Sequence, residues 1–413
     1  MSLLAVFFPV AFTMLSMAAL LALLDSFWGI GWGRWPILHL ALLGGVSQLV
    51  IGAAQFFVAA FLSTDPPPRS LIASQAAAWN VGVLAVVASR PLGQPELAEI
   101  GTLLILLGLT LFLAGLTVMR HKSLQSFHWA TRWYAASAGF LIPGVLVGGA
   151  MVSGTIWTQG SLLGAHLVLN LLGWFGTAIV GTLHTLLPSL SGNRLRFPRF
   201  EPFTFGSWLG GVALLALGVA FGSAPVAGCG WAALLSASCL LSANIAGTLR
   251  QSAGPLRLSL RLLTSAQLFL PVSFLVAFVS TLSAGVNGPF TGWAGEALPT
   301  LILSGWIGLT VAGSLLHLLA MMARVRSGFA FSLPDARPRR DILLSCAAVV
   351  GLVSMTVSAS INSGLLGTVS RVLVLGVLLF VVWQLARMLL VAFTPGPSSG
   401  PVIRPVPPAG RVS

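Results

Sequence analysis

Charge is scarce in this chain. Of its 413 residues, 7% are Asp, Glu, Lys or Arg, and only eight are acidic. Soluble domains carry roughly 25% charged residues, so a water-soluble globule is excluded. Lysine occurs once, as Lys122, and tyrosine once, as Tyr134. The three cysteines, Cys229, Cys239 and Cys346, form no CxxC and offer no disulfide framework. There is no phosphate-binding glycine loop, no HExxH, no triad-like arrangement and no acidic calcium loop. Carboxylates are nearly missing from the apolar stretches, which argues against a proton- or sodium-coupled transporter that needs an intramembrane acid. The Gly/Pro-broken helices of inverted-repeat transporters are also not evident.

What is abundant is apolar surface: 56% of residues are hydrophobic and the mean hydropathy is +0.97. Twelve apolar stretches reach the roughly 20 residues that cross a bilayer. They run over 4–26, 37–62, 71–89, 99–119, 131–153, 162–190, 204–223, 228–248, 260–283, 298–322, 342–362 and 367–392. The fold expected is an all-α polytopic membrane domain over 1–393, followed by a Pro-rich disordered tail, 394–413. No leading segment has the basic start of a cleaved signal, so the first helix is expected to be retained.

The net charge of +13 follows topology. With a cytoplasmic N-terminus, 18 of the 21 basic residues fall on the cytoplasmic side, and only Arg34, Arg90 and Arg371 on the other. This is a positive-inside pattern, with both termini cytoplasmic. It points to anionic lipid headgroups rather than nucleic acid as the basic face's partner. His121 and His128 belong to that face. Trp129, Trp133 and Tyr134 beside Arg132 fit an interfacial anchor.

A motif recurs along the chain. Gly173-Trp174-Phe175-Gly176, Gly181 and His184 reappear about a third of the chain further on as Gly305-Trp306-Ile307-Gly308, Gly313 and His317. A fainter copy, Gly44, Ser47, Gly52 and Gln55, stands nearly the same distance before the first. Three copies of four helices are expected, at about 1–122, 123–250 and 251–393.

Helix geometry gives these residues a direction. At about 100° per residue, His166, Asn170, Gly173 and His184 fall on one stripe of the sixth helix, with Gly176 and Gly181 at its edges. Such a stripe serves close helix packing, room for a flat cofactor, or a pore face. Depth sorts the histidines into an inner pair, His184 and His317, and an outer pair, His39 and His166. Gln55 takes the inner position in the first copy, and Gln48 shares its face. His39 is expected about 140° away from the stripe. Neutral imidazole suits haem iron and copper, whereas the ordinary alternative is a hydrogen bond to a helix carbonyl.

Twelve helices in three sets of four, with histidines on the second, sixth and tenth, resemble the plan of haem–copper oxidase subunit I. The segment Ala165-His166-Leu167-Val168-Leu169-Asn170-Leu171-Leu172-Gly173-Trp174 is similar to the AHxxLNxxGW signature of smaller bacterial relatives, the NnrS-type nitric-oxide-response membrane proteins among them. The resemblance implies a bacterial inner-membrane protein. It also implies haem or copper held by His184, His317, His166 and His39, and a respiratory-chain or copper-protein partner. The departures are as specific. The tenth helix has His317 alone where oxidases carry His-x-His, the seventh has no copper histidines, and Tyr134 stands at a membrane edge. Oxygen reduction is therefore not expected; an accessory role in respiration or nitrosative stress is. The alternative is a permease or channel for a small solute or metal ion, with His166, Asn170 and His184 along its path.

Overall fold

A segment that meets only lipid must satisfy its backbone internally, and a helix does so without a partner. The computed structural model describes residues 3–29, 34–125, 129–252, 254–326, 337–361 and 363–393. His128 and the 394–413 tail lie outside them. Among the described residues there is no strand, and twelve helices are long and apolar enough to span a membrane. They are α1 (Leu3–Trp28), α2 (Arg34–Phe61), α3 (Arg69–Ser89), α4 (Pro95–Lys122), α5 (Trp129–Val152), α6 (Leu162–Ser191), α7 (Phe200–Ala220), α8 (Ala224–Leu249), α9 (Leu258–Ala284), α10 (Gly292–Arg324), α11 (Pro338–Ala359) and α12 (Gly364–Val391). The chain is thus a polytopic membrane protein.

Local chemistry sets several ends. The Ser161 hydroxyl caps α6 by accepting the Gly164 N–H at 2.9 Å. Gly192, at φ +70°, stops the same helix in the left-handed conformation that glycine alone adopts freely. Proline stands in the first turn of α4, α8 and α11, where its missing N–H costs nothing.

Burial ranks the helices. In α6, 72% of the spanning window is buried, against 22% in α12. So α6 is a central column, and α12 presents most of its Leu and Val side chains to lipid. Three antiparallel hairpins, α3/α4, α7/α8 and α11/α12, pack along their lengths. Small residues allow the first two to approach closely. A methyl at Gly82 would lie 3.0 Å from the Gly101 carbonyl oxygen, and one at Gly211 would lie 3.0 Å from that of Gly230. The step along the chain from Gly82 to Gly211 equals that from Gly101 to Gly230.

A straight α-helical reading misses one feature. Part of α2, α6 and α10 is wound as π-helix: His39–Val46, Val168–Gly176 and Thr300–Gly308. A π turn bonds i to i+5 and rotates less per residue than an α turn, so face assignments drift across it. Indoles from the next helix bond to carbonyls in two of these segments: Trp79 Nε1 donates to Leu43 O at 3.2 Å, and Trp208 Nε1 donates to Leu172 O at 3.3 Å, beside the Thr177 N–H that Leu172 O also accepts.

Two expectations about polar residues are corrected. Tyr134 is not an interfacial anchor: it is 2% exposed and shares a 2.8 Å hydrogen bond with the Thr182 hydroxyl inside the bundle. The spans also hold more acid than expected. α7 and α11 begin at Phe200 and Pro338, earlier than the hydrophobic runs suggested, and bury Glu201 and Asp341. Hydropathy cannot see this, because each acid is held by a protein partner rather than by water.

Candidate functional site

The α2 π segment starts at His39, and α6 enters the bundle at His166. Both side chains line one cavity of about 380 Å³ at the arginine-poor end, between α2, α4, α5 and α6. Each imidazole is oriented by its Nδ1. That of His39 lies 2.8 Å from the Trp35 carbonyl oxygen, and that of His166 lies 2.9 Å from the Gly144 carbonyl oxygen. Carbonyls only accept, so both rings carry Nδ1–H and present an unprotonated Nε2. Among the described residues, neither Nε2 has a hydrogen-bond partner. Asn170, on the same wall, donates to His166 O at 2.6 Å and approaches the His166 ring at 3.2 Å.

The walls are otherwise mostly apolar, including Leu42, Leu43, Ile105, Leu141, Val145 and Phe175. Gly148 makes room for an imidazole: a methyl there would lie 2.8 Å from His166 Cε1. Trp35 lies against His39 with ring centroids 3.9 Å apart and planes inclined by 32°. Arg90 in turn lies over Trp35 at 4.9 Å, and Arg34 completes the mouth. The outer pair expected from depth is thus brought to one cavity, and His39 faces it despite the angle count. The π winding between His39 and Val46 accounts for the discrepancy.

The inner pair is not brought to one cavity. His184 is 3% exposed and stacks on Trp133 at 5.8 Å, with its rings 14° apart. Its Nδ1 meets the Val180 carbonyl at 2.9 Å, and its Nε2 is buried without a partner. Trp133 Nε1 donates to Glu201 Oε1 at 3.2 Å, so an indole separates this imidazole from a buried carboxylate. His317 lies elsewhere, between an apolar cavity on the α2–α6–α10 axis and a polar cavity at the arginine-rich end. His184 lines neither. On α2, Gln55 is fully buried with Nε2 on Ile51 O at 3.4 Å. Gln48 bonds Gly44 O and the Asn80 side chain, tying α2 to α3.

The glycine stripe is filled. A methyl at Gly173 would lie 2.6 Å from Phe140 Cβ, and one at Gly181 would collide with the Trp133 side chain. Gly305 is met by Phe269 at 2.6 Å and Gly313 by α9 backbone, while Gly176 meets Trp208 and Trp306. At Gly308 the nearest atom is Leu303 O, at 3.1 Å. Most of these glycines seat α6 on α5 and α10 on α9, which is their packing role. His166, Asn170 and His184 therefore do not line a continuous open path.

Sequence reasoning missed Arg34, Arg90, Trp35 and Gly148 as parts of a site. One signal was available: among the described residues, Arg34 and Arg90 are two of three basic residues at their end of the molecule. Gly148 carries no such signal, because its role depends on where α6 places His166. Among the described residues, no group of three or more His, Cys, Asp or Glu could hold a metal. No known family model matches the chain, and no curated protein matches it.

Proposed function

We propose that this chain is a bacterial inner-membrane protein of the haem–copper oxidase subunit I plan, built from three four-helix repeats, which binds a haem-type cofactor in an accessory role without reducing oxygen. Support for the repeats comes from paired interactions at one offset. Trp79–Leu43 and Gly82–Gly101 recur, all four residues shifted by the same step, as Trp208–Leu172 and Gly211–Gly230. The π segments in α2, α6 and α10 keep nearly the same spacing. The arginine bias orients both termini to the cytoplasm and the His39–His166 cavity to the outside.

One observation carries the cofactor reading: two imidazoles share one cavity, each with Nδ1 on a backbone carbonyl and Nε2 free. The residues fit a haem better than a bare copper ion. Two nitrogens are a sparse ligand set for copper, whereas a 380 Å³ apolar cavity with arginines at its mouth suits a flat macrocycle bearing carboxylates. His39 and His166 would hold the iron, and Arg34 and Arg90 would take the carboxylates through charge-assisted hydrogen bonds. Bound there, the group supplies one-electron and small-molecule-ligand chemistry. The chain's own part is to fix the imidazole tautomers, exclude water with Leu and Phe walls, and neutralise carboxylates with guanidiniums. A respiratory-chain protein on the outer side would be the partner for electrons.

The test is a reduced-minus-oxidised spectrum with metal analysis on protein purified in mild detergent. A haem band is expected, and it should be lost in His39→Ala and in His166→Ala but kept in His184→Ala. A folded sample holding neither haem nor copper would sink the reading. The permease alternative is weakened by the packed glycine stripe; solute flux in liposomes that survived metal removal and fell in His166→Ala would restore it.

A further inference from the structure

A second polar cavity, of about 50 Å³, lies at the arginine-rich end, formed by the third set of helices. It is lined by Arg257 and Ser259 at the start of α9, His317 on α10, Arg340 and Asp341 at the start of α11, and Gln384 on α12. The first turns of two long helices, α9 and α11, thus border it, the end of a helix that favours negative charge.

The side chains add unspent donors. Among the described residues, the Arg257 guanidinium makes no hydrogen bond or ion pair. The same holds for the His317 ring and for the Gln384 amide, although Gln384 is only 8% exposed. Its amide atoms are not sealed in the core and keep access to the cavity, where a ligand or water completes them. The cavity's one carboxylate is already committed. Asp341 Oδ1 accepts from Arg340 Nε at 2.9 Å and Nη2 at 2.7 Å, and Oδ2 accepts the Arg337 N–H at 3.2 Å. No free carboxylate oxygen remains for a cation. Two guanidiniums against one carboxylate leave an excess of positive charge.

We infer that this cavity is a binding site for a phosphate-class oxyanion, held by Arg257, His317, Gln384 and the free donors of Arg340. Its open space admits on the order of four waters, enough for one phosphate head but not for a nucleotide. Two sources offer that chemistry: the headgroup of an anionic phospholipid, which could reach it along the lipid-exposed α12, and free inorganic phosphate. The site is independent of the outer histidine cavity and stands whether or not that cavity binds haem.

Full-length protein, delipidated in detergent, is titrated with inorganic phosphate and, in parallel, reconstituted into phosphatidylcholine nanodiscs with or without phosphatidylglycerol. Thermal unfolding reads both arms, and native mass spectrometry reads retained phospholipid. Stabilisation by phosphate or specifically by phosphatidylglycerol is expected, and the responding arm identifies the source. Arg257→Gln is expected to weaken the response about tenfold, the value of one charge-assisted contact. Gln384→Leu should weaken it too, and Arg371→Gln, at the opposite end, should not. Arg257 is exposed and, among the described residues, its side chain makes no hydrogen bond or ion pair, so its substitution reports binding. Failure of both probes to bind, or an unchanged response in both Arg257→Gln and Gln384→Leu, would overturn the assignment.

Discussion

Trp79 Nε1 donates to the carbonyl oxygen of Leu43 at 3.2 Å, across from α3 to the π-wound part of α2. The indole is fully buried, and this bond satisfies its N–H inside the bundle. Trp208 repeats the arrangement at Leu172 and also meets Thr177 Oγ1 at 3.1 Å.

Trp79→Phe keeps most of the ring volume and removes the donor. Losing one buried hydrogen bond costs roughly 0.5–1.5 kcal/mol. Thermal unfolding in detergent should show a loss of that size. Trp208→Phe should cost less, because Leu172 O keeps the Thr177 N–H and the Thr177 hydroxyl, at 3.3 Å, as donors. Equal losses, or none, would remove this account of the π segments.

Gly148→Ala tests the outer cavity by crowding. The added methyl would lie 2.8 Å from His166 Cε1, so the imidazole must shift away from its Gly144 contact. Cofactor content or the haem band position is expected to change while the unfolding temperature stays close to that of the parent. An unchanged spectrum in a cofactor-loaded sample would separate His166 from the ligand set.

Helix seating predicts a contrast between glycines. Gly181→Ala drives a methyl into the Trp133 side chain, and overpacking of this kind costs about 1–3 kcal/mol. Gly139 and Gly210 have nothing within 4 Å of an added methyl. Alanine there should be neutral, or stabilising by about 0.5–1 kcal/mol through helix propensity. Comparable destabilisation at all three positions would contradict the packing described.

Orientation can be read by labelling. In a background with Cys229, Cys239 and Cys346 replaced by serine, Gln251→Cys should react with a membrane-impermeant maleimide from the cytoplasmic side alone. Thr155→Cys should react from the opposite side alone. The reverse pattern would invert the topology and put the histidine cavity on the cytoplasmic side.

Much of the fold was legible before any coordinates. Twelve spans follow from run length, since lipid leaves a backbone few ways to be satisfied. The depth of His39 and His166 followed from position along a helix, and their meeting in one cavity agrees with it. Direction around the helix was less secure, because the 100° rule assumes α winding and each of α2, α6 and α10 is interrupted by π turns. Depth alone also paired His184 with His317, and it carried no information on which neighbour each ring would face.

The sequence by itself determined the membrane class, the number of spans and the clustering of most arginines at one set of helix ends, because these depend on summed transfer energies along the chain. Only the tertiary structure decided that His39 shares a cavity with His166, that Trp133 stands between His184 and Glu201, and that Asp341 is already paired. Those relations depend on which side chains from distant helices fill the same few cubic ångströms, and local periodicity does not encode that.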